Sequence, residues 1–180
     1  MGFYSARDLA ESLRTVRKNT IQIAEDIPEG QYGFRPAPET RSVAELLVHI
    51  ALGPRFQQQI HQIERRTTLE GFDFPAFIQQ VRQQEQRPRT KGEIVDMLAL
   101  DGAAWASWIE SQSDEFLAER VAMSPGMTPS SRSRFEMLLS SKEHEMHHRG
   151  QLMLIERLIG IVPHLTREMQ ARMAQAQARR

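Results

Sequence analysis

Four stretches of this chain carry apolar residues at alternating steps of three and four, and clusters of proline, glycine and serine separate them. That spacing gathers side chains on one face of a 3.6-residue helix and is incompatible with the two-residue period of a strand. The first stretch, Ser5 to Ile27, presents Ala6, Leu9, Ala10, Leu13, Val16, Ile23, Ala24 and Ile27. The second opens near Ser42, where Ser42 and Glu45 have the spacing of a capping box, each side chain satisfying the other's free backbone N–H. Val43, Leu46, Leu47, Ile50 and Ala51 form its apolar face. Gly53-Pro54 should kink or break this helix, since Pro54 has no N–H to give the carbonyl of Ile50. Helix then resumes through Gln57 to Ile63. The third stretch opens at Thr90, again with a capping-box partner at Glu93, and buries Ile94, Val95, Leu98, Trp105, Trp108 and Ile109. Both tryptophans read as core rather than as a substrate platform. The fourth runs from about Ser133 to Leu158, with Phe135, Leu138, Leu139, Leu152, Ile155 and Leu158 facing inward and Gly160 as its stop.

The connecting segments read differently. Pro28, Gly30, Gly33, Pro36 and Pro38 break regular structure, and Tyr32 and Phe34 are suited to anchor that loop. Thr67 to Pro88 reads as a docked loop around Phe72, Phe74 and Phe77 with a short helix after Pro75. Its run from Gln79 to Gln86 reads as a polar helix face. Ser124 to Ser133 is a loop by composition. Residues 164–180 form a tail rich in Ala, Met, Gln and Arg, for which a short helix, a docked tail and frayed chain all remain open. No strand pattern and no internal repeat is visible. The expectation is an all-α four-helix bundle, a single domain over residues 1–180 with the bundle at about 5–160 and the tail at 164–180.

A chain of 180 residues can bury a real core without cross-links, about 70% of its unfolded surface at this size. Cysteine is absent, which excludes disulfides, thiolate metal ligands and a cysteine nucleophile. The 23 basic and 23 acidic residues cancel, so no nucleic-acid footprint is expected. The basic residues are arginines except for Lys18, Lys91 and Lys142, most simply a compositional bias. No run reaches the ~18 apolar residues of a membrane helix, and Met1 to Ala10 lacks the apolar run of a secretory signal. A cytoplasmic protein without membrane contact is expected.

Chemistry concentrates in the histidines. Of six, three lie in His144-Glu145-Met146-His147-His148. On a helix His144 and His148 share one face, about 5–6 Å apart at Cβ, so both can reach one ion. His147 points away from that face. A third ligand must come from another element, and His49 is the best candidate. It sits within Leu46-Leu47-Val48-His49-Ile50, where an imidazole needs a polar partner or a metal. Three histidines from two helices would leave coordination positions open, the arrangement of a reactive rather than a structural metal. His61 and His164 read as surface residues. The pentapeptide also satisfies H-E-x-x-H, in which Glu145 would be the base of a zinc protease. The export signal, pro-segment and peptide-holding strand of such enzymes are missing, which leaves that reading the weaker one.

Three blocks resemble the DinB-like (YfiT-like) metalloenzyme family. They are Ser42 to Ile50, carrying His49; His144 to Leu152, of the form H-x-x-x-H-R-G-Q; and Gly160 to Pro163, like the turn ending that helix. The resemblance implies an up-down-down-up bundle with a long crossover, often a homodimer. It implies one divalent transition metal (Zn, Ni, Fe or Mn) held by His49, His144 and His148. It further implies a small-molecule transferase using a low-molecular-weight thiol, or a hydrolase, the alternative being a non-catalytic metal-binding stress-response protein. Glu145 is then a candidate acid/base residue, although a solvated helix carboxylate is the simpler reading. Glu45, one turn before His49, could orient an imidazole if its capping role allowed. Gln151, one turn after His148, could line the pocket. Arg149 would pair with a carboxylate or a neighbouring helix.

Overall fold

The computed structural model describes residues 4–179. In chain order it contains α1 (Ala6–Asp26), α2 (Val43–Leu52), α3 (Arg55–Gln57), α4 (Phe74–Glu85), α5 (Lys91–Glu110), α6 (Asp114–Ala118), β1 (Arg120–Ala122), β2 (Ser131–Ser133), α7 (Arg134–Leu158) and α8 (His164–Ala178). Each long bundle helix begins on a reciprocal cap: Ser5 with Asp8, Ser42 with Glu45, Thr90 with Glu93 and Ser133 with Glu136. Such a cap satisfies two otherwise orphaned N–H groups.

Side-chain pairings fix the directions of α1, α2, α5 and α7. Arg14 on α1 meets Glu110 at the end of α5, while Lys91 at its start donates to the carbonyls of Glu25 and Ile27, so α1 and α5 are antiparallel. Arg17 meets Glu145, and Asn19 meets His164 just beyond α7, so α1 and α7 run parallel. Gln57 meets Ser140 whereas His49 meets His144, making α2 antiparallel to α7. The order is therefore up, down, down, up. Two parallel helices in succession, α2 and α5, require a crossover, and residues 53–90 supply it. One core joins α2 to the second half of α1, the start of α5 and the end of α7, through Ile23, Leu47, Ile50, Leu98 and Leu152 among others. Another joins the remaining halves of α1, α5 and α7 around Leu9, Trp105, Ile109 and Leu138. Trp105 is buried and stacks on Trp108.

The expected break at Gly53-Pro54 takes a milder form. Both residues keep helical dihedrals (φ −49°, ψ −40° and φ −68°, ψ −14°), so the chain continues in the same direction. It passes through α3 into a π-helical stretch, Gln58–Ile63. Tyr32 anchors the first loop by donating its hydroxyl to the carbonyl of Ala24. The tail is helical as α8, and its start is held on α1 by Arg167 against Asp26.

Four expectations need correction. The segment around Ser124 to Ser133 is not all loop, because β1 and β2 pair antiparallel across it; a ladder of three residues per strand is too short to leave a periodic signature. Leu158 is 57% exposed rather than inward, lying at the last turn of α7 beyond the facing helices. His61 and His164 are buried, not on the surface. His61 donates from Nε2 to Gln57 Oε1 (3.0 Å) and accepts on Nδ1 from Arg134 (2.9 Å), which supplies the polar partners that burial demands. Burial, and then the Arg134 charge, lower the His61 pKa to about 4. Residues 1–3 and 180, included in the expected domain, lie outside the described residues.

Candidate metal centre

The centre forms where α2 faces the middle of α7. His49 is on α2, whose apolar face packs Leu46, Leu47 and Ile50 into the core and leaves the imidazole in the seam towards α7. His144 and His148, one turn apart on α7, point back into the same seam. The structure brings together all three histidines expected as ligands. His144 Nε2 lies 3.0 Å from His49 Nε2 and 3.2 Å from His148 Nε2. One ligating nitrogen from each ring falls within 4.8 Å of the others. Two nitrogens bound about 2.1 Å from one ion would be about 3.0 Å apart at a right angle and about 3.4 Å apart at the tetrahedral angle.

The hydrogen bonds on the far side of the rings fix the tautomers. His49 Nδ1 lies 2.5 Å from Glu85 Oε1; a carboxylate only accepts, so this nitrogen carries the proton. His148 Nδ1 lies 2.8 Å from Gln151 Oε1 and likewise donates. In the neutral rings, Nε2 of both is then a lone pair aimed at Nε2 of His144. One proton on His144 could satisfy only one of them. Such convergence of unshared electron pairs is what a cation resolves. Burial holds the His144 imidazole down at about 4, and the neighbouring histidines and Arg41 further disfavour a proton's charge on it. His148 is also lowered by burial, an effect that its bond to Gln151 opposes. Both rings are therefore available as neutral ligands at pH 7.

The candidates around the triad divide. Gln151 holds His148 and lines a cavity of about 730 Å³ that opens beside it. His147 lies outside the cluster, within 3.2 Å of Gln151 Nε2. Glu45 does not touch an imidazole; its oxygens are taken by the Ser42 N–H and by Arg35, so capping wins. Arg149 makes no ion pair among the described residues. Glu145 is no solvated carboxylate. It is buried and joined bidentately to Arg17, at 2.9 Å for both bonds, while Arg17 also donates to the carbonyl of Leu98. With both oxygens held by a guanidinium on α1, its geometry serves to tie three helices together rather than to act as an acid or base.

Two residues that matter were missed by the sequence reading. Glu85 ends α4, and the only hint was its being the sole acidic residue in the run from Gln79 to Gln86. It comes from the crossover, so no local spacing rule couples it to His49. Gly53 permits the close approach of α2 to α7: a Cβ there would lie 2.8 Å from His144 Nδ1, 3.0 Å from Cε1 and 3.2 Å from the carbonyl of Ile50. The Gly-Pro pair drew attention to the backbone and hid this role.

Fold and site together define an all-α bundle with three imidazoles gathered between two antiparallel helices at the edge of a cavity, a set that could hold a divalent metal. The chain belongs to the DinB superfamily, whose family model matches residues 12–152. Solved structures share the fold. A DinB-like protein, YjoA, from Bacillus subtilis is 18% identical, with 84% of this chain and 91% of that chain covered and a TM-score of 0.61. An uncharacterised protein from Clostridium difficile 630 is 14% identical, covering 88% and 99%, with a TM-score of 0.68. YfiT from Bacillus subtilis, described as a probable metal-dependent hydrolase with an unusual four-helix bundle topology, is 14% identical, covering 87% and 88%, with a TM-score of 0.64. No curated protein matches the chain. Among the described residues, no helix is long and apolar enough to cross a membrane.

Proposed function

We propose that His49, His144 and His148 bind one divalent transition metal (Zn, Ni, Fe or Mn) and that the protein is a metal-dependent enzyme acting on small molecules. The reaction is transfer to or from a low-molecular-weight thiol, or hydrolysis. The observation that carries this is the convergence of the three Nε2 atoms, with two of the rings locked in the ligating tautomer by Glu85 and Gln151. A metal bound there would supply Lewis acidity, lowering the pKa of a thiol or water. The chain's own residues do the rest. Glu85 and Gln151 orient the imidazoles, as outer hydrogen bonds do for metal ligands generally. The cavity beside His148 gives a substrate access to that centre, and supports catalysis over a sealed, merely bound metal. The pairing of Glu145 with Arg17 argues against the zinc-protease reading, which needs that carboxylate as a base. In this reading the protein works in the cytoplasm as a homodimer, without nucleic-acid or membrane contact, and is expressed under stress.

The test is elemental analysis of the purified protein, then assays with glutathione, bacillithiol and mycothiol and with small ester and amide substrates. Stoichiometric metal that His148→Ala abolishes, with turnover that disappears alongside it, is the expected result. Metal without any thiol-dependent spectral change or turnover would favour the non-catalytic stress-response alternative. No metal under any loading condition would refute the reading.

A further inference from the structure

The cavity beside His148 is lined on one side by Leu46, Leu154 and Ile155 and on the other by the loop that leads into α2. Its polar groups are nearly all committed within the protein. Arg35 donates its two terminal nitrogens to the carbonyl of Thr40 and to Glu45. Thr40 donates to the carbonyl of Ala37, and the amide of Gln151 is shared between His148 and His147. Glu45 is taken up in its cap and by Arg35. Among the described residues Glu39 and Arg41 are the exceptions, and Arg41 is the cation of the two. It lines this cavity and the adjoining recess formed with Arg82 and Glu85. Among the described residues its one ion-pair partner within 4 Å is Glu85 Oε2, at 3.8 Å, too long for a hydrogen bond. Its side chain is 44% exposed. A guanidinium presents five donors in a fixed fork, and almost all of Arg41's are unspent at the mouth of the cavity.

We infer that Arg41 is the anchor for a carboxylate on the substrate, so that the cavity takes a small organic monocarboxylate with an apolar body. This rests on the proposed function for the location of the reacting end but not for the anchor itself. Arg41 reaches the other oxygen of the same carboxylate that holds His49, so the anchor and the histidine cluster are two contacts apart. Leu46, Leu154 and Ile155 offer the intervening wall to aliphatic or aromatic atoms. The fork of Arg41 fits carboxylate and phosphate alike. The charge around it decides between them. Glu39, Glu45 and Glu85 line the cavity or its recess, and Arg35, Arg41 and Arg82 stand against them, so the formal charges cancel. Each negative charge on a ligand is opposed by Glu39 and Glu85, so a monoanionic carboxylate meets less repulsion there than a doubly charged phosphate.

The test uses three probes of similar length, hexanoate, hexanamide and pentyl phosphate, titrated at millimolar concentration by NMR into wild-type protein, Arg41→Gln and Arg41→Lys. Each is measured with and without added zinc. Hexanoate should bind the wild type with or without zinc, and Arg41→Gln should weaken it by about tenfold, the usual worth of a charge-assisted hydrogen-bond pair. Arg41→Lys should fall between, and hexanamide should bind weakly and ignore the substitution. Arg41 is an exposed loop residue, and an unchanged Tm will show that the variants fold. The inference is overturned if hexanoate fails to bind, if it binds no better than hexanamide, if pentyl phosphate is preferred, or if Arg41→Gln leaves its affinity unaltered. Zinc stoichiometry measured on the same samples separates this from the metal reading. Loss of hexanoate binding in His148→Ala but not in Arg41→Gln would retain the metal and discard the anchor.

Discussion

Gly53→Ala separates the fold of this protein from its proposed metal centre more cleanly than removal of a ligand. The backbone at Gly53 is helical, a conformation alanine adopts, although the Pro54 ring crowds a Cβ there and the methyl would also lie 3.2 Å from the carbonyl of Ile50. By helix propensity alone the change would stabilise by about 0.5–1 kcal/mol. Against this stands the new methyl, 2.8 Å from His144 Nδ1 and 3.0 Å from Cε1. Ordinary carbon–nitrogen contact requires about 3.5 Å, so the ring must retreat by roughly half an ångström or more. Without metal, His144 can do so by a side-chain rotation costing on the order of 1 kcal/mol, which nearly cancels the helical gain. With metal it cannot, because Nε2 must stay about 2.1 Å from the ion. Zinc affinity should therefore fall about 10- to 100-fold, a range matching disturbed ligand orientation, while the metal-free Tm moves by only a few degrees, about what 1 kcal/mol shifts in a domain of this size. The assays are chelator competition for zinc and thermal unfolding of the metal-free protein. Wild-type zinc affinity in a folded Gly53→Ala would refute the reasoning, since it would place the ion elsewhere than on His144.

Other expectations follow from the same structure. Glu85→Gln removes the charge that holds His49 in its tautomer, and zinc affinity measured by competition should fall about 10- to 100-fold with little change in metal-free stability. Arg17→Met strands Glu145 as a buried unpaired charge and should destabilise by about 3–5 kcal/mol in urea, whereas the double change Arg17→Met/Glu145→Met should recover much of that; an additive double mutant would contradict the pairing. Glu156 is fully buried, neither of its carboxyl oxygens has a hydrogen-bond partner among the described residues, and burial followed by the charge of Asp26 raises its pKa to about 7. The folded state thus holds this proton more tightly than the unfolded chain, whose value is near 4.5. The resulting stability is full below pH 4.5 and is lost as pH rises through about 7. Glu156→Gln should accordingly stabilise the protein at pH 8 by on the order of 2 kcal/mol and flatten urea midpoints between pH 5 and 8; an unchanged pH profile would exclude Glu156 as its source.

The amino-acid order by itself determined the bundle helices, because each start is a local event: a serine or threonine three residues ahead of an acid, followed by an apolar stripe at helical spacing. It also determined the His144–His148 pair, since one turn of helix puts both rings on one face, and singled out His49 as an imidazole stranded among apolar neighbours. Which face each pointed towards came from the packing of α2 against α7. Only the tertiary structure decided Glu85, Gly53, Arg41 and the Arg17–Glu145 pair. Each of these acts across elements separated by tens of residues in the chain, and no period or spacing carries that information. The burial of His61 and His164 had the same origin, for their partners Arg134 and Asn19 are remote in sequence. Local hydrogen bonding writes itself into neighbouring residues, whereas a site built at the seam between helices exists only once loop closure has brought its parts together.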